Sequence, residues 1–160
     1  KDIFPVNLDY CSVHDCLDEA IVTNEPLLSS KGIDIELECP ERLLWSFDRG
    51  LVMGILDNML NNEYLYTKDK LRVSAGKEDD YLVMRIEDNG PGYPEGFLMD
   101  SREKSRFEAS RVSFLTGSTG LGLYFSALVA KSHARNGRDG FIRTANGGIF
   151  NGSVFSLHLP

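Results

Sequence analysis

The alternation of apolar and polar positions divides the chain into short strands and three helical stretches. Val6, Leu8 and Tyr10 alternate with polar neighbours and predict a strand over residues 5–10. Ser12 followed by Asp15 reads as a helix start, a hydroxyl cap with an acidic side chain in the first turn. That helix runs to about Leu28 on a stripe of Leu17, Ala20 and Ile21, with Pro26 shaping its end. After a turn at residues 29–32, Ile33, Ile35 and Leu37 alternate strictly and predict a half-buried strand. Residues 43–45 give another short strand. Asp48 then caps a second helix, residues 49–65, with Leu51, Val52, Ile55, Leu56, Met59 and Leu60 at helical spacing. Residues 70–75 and 81–87 read as strands joined by a turn at 76–80. Between Asn89 and Gly120 the pattern fails: the stretch is polar, glycine-rich at both ends and charged in the middle. A loop that long in a compact domain is usually functional, so a lid is expected at about 93–118. A third helix at 121–133 and strands at 141–144 and 153–159 complete the pattern. This order predicts an α+β fold, a two-layer sandwich whose mixed, mostly antiparallel sheet carries about three helices on one face.

Composition narrows the function more than the fold. The chain has 160 residues with 42% apolar content, which fits a single domain, residues 1–160, with no repeat or linker. Its 17 basic and 24 acidic residues leave a formal charge of −7, without the cationic surplus that nucleic-acid binding requires. No apolar run approaches the ~18 residues needed to span a bilayer, so no membrane contact is expected. The 3 cysteines are odd in number and contain no CxxC pair, which points to structural thiols in a reduced, cytoplasmic compartment. The opening at Lys1, without Met, is expected of a monomeric piece of a longer protein, one compatible with a membrane anchor elsewhere in the parent.

Three segments carry candidate chemistry. Asn58 and Asn62 lie one helical turn apart on a shared face, while Asn61 is rotated away toward solvent. Their amide oxygens suit Mg²⁺ or the surroundings of a phosphate; the alternative is a fraying helix end. Asp88-Asn89-Gly90-Pro91-Gly92 sets a carboxylate at a strand end beside two glycines, where a planar ligand can approach the backbone. The alternative is an ordinary Asn-Gly and Pro-Gly turn. Gly117-Ser118-Thr119-Gly120-Leu121-Gly122-Leu123 leads into a helix, where exposed N–H groups cradle phosphates. No Gly-Lys-Ser/Thr exists for a Walker loop, and no strand immediately precedes the glycines as a Rossmann loop needs.

Asn-xxx-Asn on a helix, DxGxG after a strand and STGLGL entering a helix together resemble the GHKL superfamily of Bergerat-type ATP-binding domains. Within it the chain most resembles the catalytic domain of sensor histidine kinases, over nearly its whole length. The resemblance implies ATP and Mg²⁺ as ligands. It places Asn62 at the metal and Asn58 one turn earlier, both serving catalysis, and Tyr66 against the adenine. It places Asp88 on the adenine amino group, between Gly90 and Gly92, and Gly152 and Ser153 near the base. Thr119, Gly120, Leu121, Gly122 and Leu123 would close over the phosphates.

The same resemblance implies the reaction and its partners. Hydrolysing branches carry a Glu base where this chain has Asn58, so transfer to a protein acceptor is expected rather than hydrolysis. The acceptor His is expected on a dimerisation domain preceding Lys1, with a response regulator downstream; His14-Asp15 imitates an acceptor pair on a solitary helix. His133, near a helix C-terminus, is expected as a favourable partner of the helix dipole. The family's Asn-Ala-x-Lys-Tyr-Thr reads Asn62-Glu63-Tyr64-Leu65-Tyr66-Thr67 here, so Leu65 replaces a phosphate-facing Lys. Arg102, Lys104, Arg106 and Arg111 are the candidate substitutes, and Phe97, Phe107 and Phe114 the candidate lid aromatics. A degenerate nucleotide-binding module with a regulatory role is the other reading.

Overall fold

Side-chain caps start both early helices where the sequence places them. The computed structural model describes residues 4–103 and 118–160. The Ser12 hydroxyl accepts the Asp15 N–H at 3.2 Å and opens α1, Val13–Ser29. The Asp48 carboxylate accepts the Leu51 N–H at 3.0 Å and opens α2, Arg49–Tyr66. A third helix, α3, covers Ser118–Ser132. The strands are β1 Asp9–Ser12, β2 Asp34–Glu38, β3 Leu44–Phe47, β4 Lys70–Glu78, β5 Tyr81–Asp88, β6 Met99–Asp100, β7 Phe141–Gly147 and β8 Gly152–Leu159.

Six strands form one sheet in the order β2-β4-β5-β8-β7-β6, and β1 pairs with β3 as a separate ribbon. Only β2 and β4 run parallel, because α2 lies in the connection between them and carries the chain back to the same end. Leu82, Met84 and Ile86 of β5 and Phe155, Leu157 and Leu159 of β8 alternate onto one face. They bury in a single cluster with Leu17, Ile55, Leu56, Leu60 and Leu123 of the helices. The architecture is the expected α+β sandwich, helices on one face of a mostly antiparallel sheet.

Helices α2 and α3 run antiparallel. Phe125 packs 3.7 Å from the position a Cβ would take at Gly54, and Gly122 lies against Asn58. At the other end the Asp48 N–H donates to His133 Nε2 at 3.0 Å, while His133 Nδ1 donates to the Val129 carbonyl at 2.9 Å. His133 is therefore a buried neutral imidazole; burial lowers its pKa, with hydrogen bonding to Val129 opposing. The expected cationic dipole partner is absent because the ring accepts a cap residue's N–H, which only a bare nitrogen can do.

Three boundaries differ from the pattern. Residues 5–8 form no strand: Leu8 is 41% exposed, and the Asn7 N–H goes to the Asp48 carboxylate at 2.9 Å instead of a ladder. Helix α1, by contrast, ends at Ser29, within one residue of the expected Leu28; it passes Pro26 because the missing N–H frees only the carbonyl of Val22, a 59% exposed residue that water reaches. Strand β4 extends through Gly76, and the turn shrinks to Asp79-Asp80, with Asp79 at φ 56°. Helix α3 begins at Ser118, which places Thr119 and Gly120 inside its first turn. The greater part of the expected lid, residues 104–117, lies outside the described residues.

Candidate functional site

The second half of α2 turns two kinds of side chain toward the sheet end. Its buried stripe of Val52, Ile55, Leu56, Met59 and Leu60 continues to Glu63, while Asn58 and Asn61 are exposed. Asp57 points to α1 and accepts Asn24 Nδ2 at 3.0 Å. Asn62 is half-buried, and its Nδ2 is buried without a hydrogen-bond partner among the described residues. A Cβ at Gly122 would overlap the Asn58 amide and stand 3.6 Å from Asn62 Nδ2, so glycine permits α3 to approach both asparagines.

Asp88 ends β5 and is 1% exposed. Its Oδ1 accepts the Gly90 N–H at 2.9 Å and the Ser153 N–H at 3.0 Å, and its Oδ2 accepts the Ser153 hydroxyl at 2.5 Å. Glu63 adds a further hydrogen bond. Burial opposes ionisation of Asp88, but the bonds from Glu63, Ser153 and Gly90 outweigh it and hold the carboxyl below its usual range. Glu63 is 4% exposed; burial first, then its neighbour Asp88, push its carboxyl well above the usual range. Thr67, just past the end of α2, donates its hydroxyl to Glu63 Oε1 at 2.5 Å.

These residues frame one pocket of about 600 Å³ of free space including its open mouth. Met59, Asn62, Glu63 and Tyr66 supply the helix wall, Asp88 and Ser153 the floor, and Gly92, Tyr93, Pro94 and Phe97 the far side. The far side departs from the ordinary-turn alternative. After Asp88 the chain leaves the sheet, Gly92 adopts φ 90°, and a 3-10 turn forms at Glu95–Phe97. Asn146 holds that segment, accepting the Tyr93 N–H at 2.7 Å and donating to its carbonyl at 3.1 Å. Asn89 pins its start, accepting the N–H groups of Asp69 and Lys70 at 3.1 Å. Gly90 passes so close beneath the Tyr66 carbonyl that a Cβ would overlap it.

Most of the expected site residues therefore converge. Asn62, Tyr66, Asp88, Gly92 and Ser153 share the pocket, with Gly90 and Gly152 packed against its floor and Asn58 and Gly122 meeting at its edge. Thr119, Gly120 and Leu121 belong to the first turn of α3, Leu121 being 55% exposed, whereas Leu123 is fully buried in the core. Leu65 is 56% exposed. Arg102 is engaged away from the pocket, on Asp100 at 2.7 Å and over the Phe141 ring at 3.8 Å. Lys104, Arg106, Arg111, Phe107 and Phe114 lie outside the described residues, while Phe97 reaches the pocket. The pattern did not single out Glu63 or Tyr93. Glu63 carried a signal, since it falls on the buried stripe of α2 four residues after Met59.

Residues 48–160 match the family model described as histidine kinase-, DNA gyrase B-, and HSP90-like ATPase. The chain belongs to this ATPase family. Among relatives, the signal transduction histidine-protein kinase BaeS of Escherichia coli K12 is 30% identical over 113 residues, covering 69% of this chain and 24% of BaeS. AfsQ2 of Streptomyces coelicolor, also a signal transduction histidine-protein kinase, is 33% identical over 106 residues, covering 66% of this chain and 18% of AfsQ2. The chain thus spans a quarter or less of these relatives. The catalytic domain of histidine kinase ThkA superposes with a TM-score of 0.76 at 22% identity, over 96% of this chain and 95% of that one. ThkA in complex with the response regulator protein TrrA gives 0.72 at 21%, over 97% and 42%. These likenesses show that the fold of this chain is that of a histidine kinase catalytic domain.

Proposed function

We propose that residues 1–160 form the ATP-binding catalytic domain of a cytoplasmic two-component sensor histidine kinase. The domain donates the γ-phosphoryl group of ATP to a His on a separate dimerisation domain, from which a response regulator receives it. The observation that carries this is the convergence of a buried ionised Asp88, apolar walls from Met59, Tyr66 and Phe97, and an Asn58–Gly122 junction beside one pocket.

Each residue then has a task. Asp88 and Ser153 take the adenine edge, and Met59, Tyr66 and Phe97 enclose its faces. Gly92 lets the backbone pass along the base. The N–H groups of the first turn of α3, around Thr119, Gly120 and Leu121, receive phosphate oxygens. Asn62 fits Mg²⁺: among the described residues its buried amide nitrogen has no hydrogen-bond partner, a place that a phosphate oxygen would fill, leaving its oxygen for the cation. Bound there, Mg²⁺ would neutralise charge on the β- and γ-phosphates. Asn58 has no basic lone pair for activating water, so it positions rather than hydrolyses. The exposed Leu65 and the engaged Arg102 favour a second reading, a nucleotide-binding regulatory module without transfer.

A titration with a non-hydrolysable ATP analogue, with and without Mg²⁺, decides between binding and none. Asp88→Ala is expected to weaken binding at least ~10-fold, the value of one charged hydrogen bond. Equal affinity in wild type and Asp88→Ala would remove the adenine assignment. Labelling of an acceptor hairpin in trans separates the kinase from the regulatory module.

A further inference from the structure

A second concave surface lies at the other end of the sheet. Strand β8 leads from Ser153 at the nucleotide pocket to Pro160, about 23 Å away at about 3.3 Å per residue. Around Pro160 the β1–β3 ribbon, the β4–β5 hairpin and the turn after α3 enclose a groove of about 710 Å³ of free space including its open mouth.

One wall carries two arginines that the turn itself does not call for. Arg135-Asn136-Gly137-Arg138 is a two-residue hairpin turn: the Arg135 N–H donates to the Arg138 carbonyl at 2.8 Å, and the Arg138 N–H to the Arg135 carbonyl at 2.9 Å. Asn136 at φ 53° and Gly137 at φ 75° supply the two left-handed residues such a turn needs. Its flanking residues stand directly opposite each other, where like charges repel. Asp80 offsets one, accepting Arg138 Nη2 at 3.0 Å. Arg135 and Lys77 have no ion-pair partner among the described residues. The lining side chains thus carry three positive charges against one negative, in a chain whose formal charge is −7.

The facing wall is apolar. Tyr10 is 74% and Leu44 46% exposed, and they share one face of the ribbon, since Tyr10 pairs with Ser46 and Ser12 with Leu44. The Trp45 indole N–H donates to the Pro160 carbonyl at 3.3 Å, which ties the ribbon to the end of β8. Single exposed apolar side chains are ordinary, but two beside unpaired cations in one concavity make a mixed surface of the kind that partners cover.

We propose that this groove docks an extended acidic peptide segment of another protein. Its carboxylates meet Arg135 and Lys77, and an apolar side chain of the segment lies on Tyr10 and Leu44. An extended chain sets side chains i and i+2 on one side, about 6.6 Å apart, so neighbouring positions can address both walls. A membrane surface fits less well. Asp9, Asp79 and Asp139, next in sequence to the lining residues Tyr10, Asp80 and Arg138, are exposed and repel anionic lipid. The groove lies apart from the nucleotide pocket, and the proposal does not depend on nucleotide binding.

The test probes an array of synthetic octapeptides of varied sequence with the labelled 160-residue chain. Among peptides that carry Leu, Phe or Tyr, signal is expected to rise with the number of acidic residues and to fall with added salt. The strongest of these is then titrated against wild type, Arg135→Glu and Tyr10→Ser, with thermal melts and an ATP-analogue titration alongside. Arg135→Glu is expected to weaken peptide binding ~10-fold or more, the value of one charged hydrogen bond, and Tyr10→Ser several-fold. Melting temperature and nucleotide affinity stay as in wild type. An array signal indifferent to acidic content, or Arg135→Glu binding as tightly as wild type, overturns the proposal. So does a parallel loss of melting temperature and peptide affinity in every variant, which marks a structural role. Binding to vesicles of phosphatidylserine and phosphatidylcholine without binding to any peptide overturns it in favour of a membrane. Should Arg135→Glu fail to fold, Lys77→Glu on the adjoining hairpin carries the same expectation.

Discussion

Gly122 illustrates how a single hydrogen atom in place of a methyl sets the separation of two helices. In the interior of α3 an alanine favours the helix by ~1 kcal/mol, so Gly122→Ala is expected to leave the melting temperature unchanged or raised. Its Cβ displaces the Asn58 amide, however, and nucleotide affinity is expected to fall several-fold; a thermal melt beside a nucleotide titration shows the two effects apart. A second residue sets the acid limit. Burial first, then Arg143 and Arg85, lower the His158 pKa from 6.5 to about 4. The unfolded chain takes up that proton more readily, so stability is complete above pH 6.5 and is lost as pH falls from 6.5 toward 4. His158→Phe, which keeps the stack on Phe141, should flatten denaturant midpoints over that range. The candidate site was legible where a residue type has few other uses, as for Asp88 beside Gly90 and Gly92. Glu63 was hard to find because an acid inside a helix usually marks its solvated face; only its position on the apolar stripe marks it as buried.

At the scale of elements, boundaries moved where the next partner lay far along the chain. Residues 5–8 alternate like a strand, yet their anchor is the Asp48 carboxylate, 41 positions away, and no local pattern reports that. The end of α1 is the opposite case, legible locally: Pro26 sits in the last turn, and Leu28, one residue before the helix ends, is the last position of the apolar stripe and fully buried. Replacing Pro26 with Ala restores the bond to the Val22 carbonyl at an exposed position. The variant is expected to be stabilised by ~1–3 kcal/mol, read from the denaturant midpoint at unchanged m-value. The hairpins β4–β5 and β7–β8 were legible because each joins two periodic runs across a short connection.

Across the whole molecule the sequence announces a mixed sheet under three helices but not its strand order. Inserting β8 between β5 and β7, or setting β2 parallel beside β4, depends on partners that hydrophobic period alone does not name. The antiparallel α2–α3 pair has a further consequence. Its ends are joined at Asp48 and His133, and roughly ten residues of helix, about 15 Å at 1.5 Å per residue, separate that joint from Asn58. In geometry that joint is a fulcrum and α2 the arm that extends from it. A tilt of about 2° there carries Asn58 through about half an ångström, a displacement of the order at which transfer rates change by tens of fold. On the proposed reading, substitutions beside His133 are expected to change the phosphoryl-transfer rate at unchanged nucleotide affinity, a comparison that transfer kinetics and a nucleotide titration make directly.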